Sequence, residues 1–88
     1  MNAKEKAKAG IWLLKQAVLE FIGDHPNGVK PSEIRDELGL TCPDESGDFK
    51  DQVAWGIHNM LFVERLIEKR KIDNRNHFFL ANQPATKN

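Results

Sequence analysis

Eighty-eight residues, 40% of them hydrophobic and 30% charged, supply one small core and too little apolar material for two. Thirteen basic and thirteen acidic side chains cancel, so the chain lacks the overall positive charge that many DNA-binding proteins carry. No apolar run approaches the roughly 18 residues of a membrane span, and the single Cys42 excludes an internal disulfide and a thiolate metal cage.

The apolar stretch IWLLKQAVLEFI is broken by Lys15, Gln16 and Glu20, which a secretory leader would not tolerate; a cytosolic protein is expected. The charge total hides two opposed strips. Residues 65–75 carry five cations against Glu68 and Asp73, whereas residues 44–51 carry four carboxylates against Lys50 alone. No repeat or low-complexity segment is visible, and the expected domain spans residues 5–82, with 1–4 and 83–88 as loose ends.

A first helix is predicted from about Ala3 to Gly23, its inner face formed by Ile11, Leu14, Val18, Phe21 and Ile22. Gly23 and Pro26 stop it. Trp12 and Leu19 fall about a quarter-turn away and form a second apolar stripe. That stripe is either covered by the rest of the fold or a candidate interface with another chain.

Asn27-Gly28 signals a turn, and Val29 is expected to be extended and to pair with a later hairpin. Pro31 suits the first turn of a short second helix that carries Ile34 and Leu38 on one face and ends at Gly39. After the polar loop TCPDESGD, a third helix is predicted from an N-cap near Asp48 to about Glu64. With Val53 set at 0°, its core face collects Phe49, Gly56, Ile57, Met60 and Leu61. The opposite face carries Asp51, Gln52, Trp55, His58, Asn59 and Phe62. Two aromatic residues on an outer face are unusual for a solvated helix.

LIEKRKI and HFFLA are strand-like runs separated by the turn formers Asp73, Asn74, Arg75 and Asn76. The expected fold is therefore α+β: a small winged helix-turn-helix of three helices closed by a C-terminal two-stranded β-hairpin, the wing.

The segment VAWGIHNMLFVERLIEKRKIDNRNHFFLA resembles a winged-helix signature in which V-x-W-A is followed by L-x-x-x-G-L-I-E and a basic hairpin. The matching residues are Val53, Trp55, Gly56, Leu61, Leu66, Ile67 and Glu68. The pattern is similar to the N-terminal DNA-binding domains of Mrr-type restriction proteins and related restriction-associated winged helices, over about residues 16–81. Arg65 stands where that family commonly has Gly. The loop before the third helix, which also resembles the family's, places carboxylates near where DNA phosphates would lie.

Catalysis is not expected. Glu68 and Lys69 are adjacent, not in the E-x-K spacing of many restriction nucleases, and His25, His58, His77 and Cys42 share no metal-ligand spacing. Nor is a cofactor.

Double-stranded DNA is the expected partner, possession of a third helix in the major groove being the usual mechanism. The candidate readers are Lys50, Gln52, Trp55, His58 and Asn59. Lys30 and Ser32 would hold phosphate at the start of the second helix. Lys69, Arg70, Lys71, Asn74 and Arg75 would meet the backbone or minor groove. The competing reading is a protein-interaction or dimerisation module that uses the outer face of the third helix, with Trp12, Leu19 and Phe62 as interface candidates. A small module makes few DNA contacts, so a homodimer or a place in a larger restriction or transcription-regulating system is expected.

Overall fold

The computed structural model describes residues 1–41 and 51–81. It contains three helices, α1 (Ala3–Gly23), α2 (Pro31–Glu37) and α3 (Gln52–Val63), followed by strands β1 (Ile67–Ile72) and β2 (Arg75–Leu80). This is the α+β winged-helix layout expected from the sequence. Lys50, the N-cap expected at Asp48, Phe49, Cys42, most of the acidic loop and the tail at 83–88 lie outside the described residues. Among the described residues no helix is long and apolar enough to cross a membrane.

Local chemistry sets the helix ends. Asn2 accepts the Glu5 backbone N–H at 2.8 Å, and Glu5 accepts the Asn2 N–H at 2.9 Å, a reciprocal capping box. Residues 3 and 4, read above as a loose end, therefore belong to the first turn of α1. At α2, Pro31 sits where a missing N–H costs nothing, and Glu33 accepts the Lys30 backbone N–H at 2.8 Å. Gly39, at φ +67°, then turns the chain so that the Leu40 N–H donates to the Arg35 carbonyl at 2.8 Å. The end of α3 closes in the same way without glycine. Arg65 takes φ +60°, and the Leu66 N–H donates to the Leu61 carbonyl at 2.9 Å.

The hairpin turns on two residues, not the four read from the sequence. Asp73 and Asn74 both have positive φ, +53° and +67°, the backbone of a type I′ turn whose twist matches that of the strands. Ile72 consequently pairs with Arg75, and Arg75 and Asn76 become part of β2. Val29 adds a bridge on the other edge of β2. Its N–H donates to the Phe78 carbonyl at 3.2 Å, and Phe78 returns a 2.8 Å bond.

One core sits between the helices and this small sheet, built from Val18, Ile22, Val29, Ile34, Ile57, Leu61, Ile67 and Phe78. Phe78 is fully buried, and the rings of His58 and Phe62 stand edge-on to it at 4.9 and 5.0 Å. On α1 only Val18 and Ile22 are buried. Leu19 is half-buried and packs against the core, so of the second apolar stripe only Trp12, 59% exposed, remains uncovered.

The orientation of α3 differs from the sequence expectation. Its buried stripe is Ala54, Ile57, His58 and Leu61, at the i, i+3, i+4, i+7 spacing of one helical face. Val53 and Met60, expected inside, are 40% and 37% exposed, and Gly56 is exposed as well. His58 and Phe62, expected on the outer face, are respectively buried and half-buried. The physical reason is Phe78: its ring occupies the centre of the core, and the helix turns two further rings onto its edges.

Candidate nucleic-acid interface

Three elements meet around one cleft of about 390 Å³. The start of α2 contributes Lys30, Pro31, Ser32 and Arg35; α3 contributes Asp51, Ala54, Trp55 and His58; the first residues of β2 contribute Arg75 and Asn76. Among the described residues the lining carries the cations Lys30, Arg35 and Arg75 and the carboxylate Asp51.

Arg35 ties the two helices of the helix-turn-helix together. Its Nε donates to Asp36 Oδ1 at 2.7 Å and its Nη1 to Asp51 Oδ1 at 2.8 Å. Asp36 first, and Asp51 second, hold the guanidinium proton more firmly than usual. The Asp51 carboxylate, one of the acidic groups near the expected DNA face, is thereby committed to a cation of the protein itself.

Trp55 is 46% exposed and stands edge-on to His58 at 5.7 Å between ring centroids. Gln52 and Asn59 are exposed on the same side of α3 as Trp55, roughly opposite the buried stripe. His58, expected to read bases, is instead 1% exposed, and neither ring nitrogen has a hydrogen-bond partner among the described residues. Burial pushes its pKa down to about 4, so the imidazole is neutral at physiological pH.

The wing's cations divide between its two faces. Lys71 pairs with Asn76, a cleft residue, and so shares that face of the hairpin; Lys69 pairs with Phe78 and holds Nζ 5.9 Å from the Phe62 ring. Arg70 lies on the other face, over the Phe79 ring at 4.3 Å, with Nε donating to Glu68 at 2.7 Å. Asn74 is exposed in the turn.

No family model, curated protein or solved structure matches this chain.

The cleft thus gathers Lys30, Ser32, Trp55, His58 and Arg75 from the sequence-derived candidates; Gln52, Asn59, Lys69, Arg70, Lys71, Asn74 and Phe62 do not line it. Sequence reasoning missed Arg35 and took Asn76 only as a turn former. Neither tie could be seen locally: beyond its neighbour Asp36, Arg35 reaches Asp51 sixteen residues away, and Asn76 enters the cleft through hairpin register. Among the described residues there is no group of three or more His, Cys, Asp or Glu side chains able to hold a metal ion.

Proposed function

We propose that this chain binds double-stranded DNA as a winged helix, with the exposed side of α3 facing the major groove and the wing against the backbone or minor groove. The observation that carries the reading is the convergence on one cleft of cations from α2 and β2 with the half-exposed Trp55 of α3. Gln52 and Asn59 supply amides that can pair bidentately with adenine. Lys30, Ser32, Lys71, Asn74 and Arg75 supply phosphate contacts that set register. A place in a restriction or transcription-regulating system, and in the cytoplasm, follows from the Mrr-type resemblance and the composition.

The test is a titration with random-sequence duplex at two salt concentrations. Binding that weakens steeply with salt, and a shallower salt slope after Lys30→Ala with Arg75→Ala, supports the reading. Absence of binding at low salt overturns it.

A second reading, a protein-interaction or homodimer module, is favoured by the uncovered apolar residues Trp12 and Leu13 on α1 and Val63 at the end of α3. Sedimentation distinguishes them: a dimer lost in Trp12→Ala with duplex affinity unchanged separates that surface from the DNA face.

A further inference from the structure

The two nitrogens of His58 are the least explained polar atoms among the described residues. A neutral imidazole carries one donor and one acceptor, and burying both without partners is costly. The ring lines the cleft, and its neighbours differ in their freedom to move. Phe78 is fully buried and pinned by the sheet, whereas Trp55 is half-exposed and has solvent to swing into. A ligand displacing Trp55 slightly would reach one edge of the imidazole, whose ring nitrogen donates or accepts according to the tautomer.

That combination selects a chemistry. A flat heteroaromatic ring stacks on Trp55 and can exchange one hydrogen bond, through its edge, with the nearer imidazole nitrogen. A bare phosphate cannot stack, and its complement is at the rim, where Lys30 and Arg75 stand with Ser32. A volume of about 390 Å³ lies within the usual range for small-ligand sites.

We infer that the cleft receives one unpaired nucleotide, its base against Trp55 and His58 and its phosphate at Lys30 and Arg75. This rests on the DNA reading and deepens it by naming what the same face takes from the strand. The shared chemistry has two sources, an unpaired nucleotide within DNA and a free mononucleotide.

The experiment uses the full chain carrying Trp12→Phe, which leaves Trp55 as the single tryptophan reporter. Its fluorescence is followed against a perfect duplex, the same duplex with one bulged nucleotide, and nucleoside 5′-monophosphates. The inference expects the bulged duplex to bind at least tenfold more tightly than the perfect one and to quench Trp55 more strongly. It expects His58→Phe, which keeps a buried ring and removes the nitrogens, to erase that preference; should that variant fail to fold, Lys30→Ala with Arg75→Ala is expected to abolish mononucleotide quenching of Trp55, and unchanged quenching overturns the inference. Saturable quenching by mononucleotides without duplex binding supports the cleft's ligand as a free nucleotide and overturns the DNA reading. Equal, salt-sensitive binding of both duplexes with no mononucleotide quenching overturns the inference and leaves the DNA reading standing. No binding of any probe overturns both.

Discussion

His58 packs edge-on against Phe78, ring centroids 4.9 Å apart and planes at 89°, so a titratable group forms part of the core wall. In the unfolded chain this histidine titrates near 6.5; in the fold, burial lowers its pKa to about 4. Above pH 6.5 both states hold it neutral and it adds no pH dependence. Between 6.5 and 4 the unfolded state binds a proton that the folded state refuses, so stability falls as pH falls through that window. The loss attributable to His58 should amount to about 1–3 kcal/mol by pH 4. Urea melts at pH 8 and pH 4.5 check it: His58→Phe should flatten the difference, and an unchanged pH dependence in that variant would refute the assignment.

Gly28 is required by both backbone and neighbour. Its φ is +99°, and a Cβ placed there would lie 2.6 Å from Cζ of Phe79. Gly28→Ala should cost about 2–3 kcal/mol, since the strain and the clash reinforce one another. Phe79→Leu in the same background should recover part of the loss, read from denaturation midpoints.

Arg65 offers the opposite opportunity. It is exposed and occupies the left-handed region at φ +60°, where a side chain is penalised and glycine is not. Arg65→Gly should raise stability by about 0.5–1 kcal/mol, with the Leu66 to Leu61 bond retained. A lower melting temperature would show that the arginine stabilises this end of α3 by more than the backbone strain costs.

The Arg35–Asp51 pair should show measurable coupling. Both partners are partly shielded, and the pair spans α2 and the start of α3. A double-mutant cycle with Arg35→Ala and Asp51→Ala should give a favourable coupling at low salt that shrinks as salt is added. A value of zero would mean that the two helices are positioned by Ile34 and the apolar core alone.

Much of the fold could be read from local punctuation. Pro31, Gly39 and the Asn27-Gly28 turn each act through their own backbone, and α1, α2 and the Val29 pairing lie where those residues predict. The facing of α3 could not be read this way. Ile57 and Leu61 belong to both candidate stripes, and hydropathy alone prefers the side with Val53 and Met60. What decides between them is the Phe78 ring, seventeen residues beyond Leu61, which draws His58 and Phe62 inward. Hairpin register was similarly ambiguous, because four consecutive turn formers do not say which two take positive φ. Of the cleft, Lys30, Ser32, Trp55 and Arg75 were visible as residue types suited to DNA; their convergence, and the tie through Arg35, depend on separations that local patterns do not encode.

The length of α1 has one more consequence. It runs for 21 residues, yet Val18 and Ile22 are its only buried positions, both in the last two turns. Its first three turns are held by backbone hydrogen bonds and the Asn2–Glu5 capping box, and isolated helical turns of that kind are marginal in water. Amide protons before about residue 13 should therefore exchange with solvent through local fraying, while those around Val18 and Ile22 wait for the whole domain to open. One continuous rod in shape is thus two segments in protection against exchange, and a partner covering Trp12 would join them by slowing the first to the rate of the second.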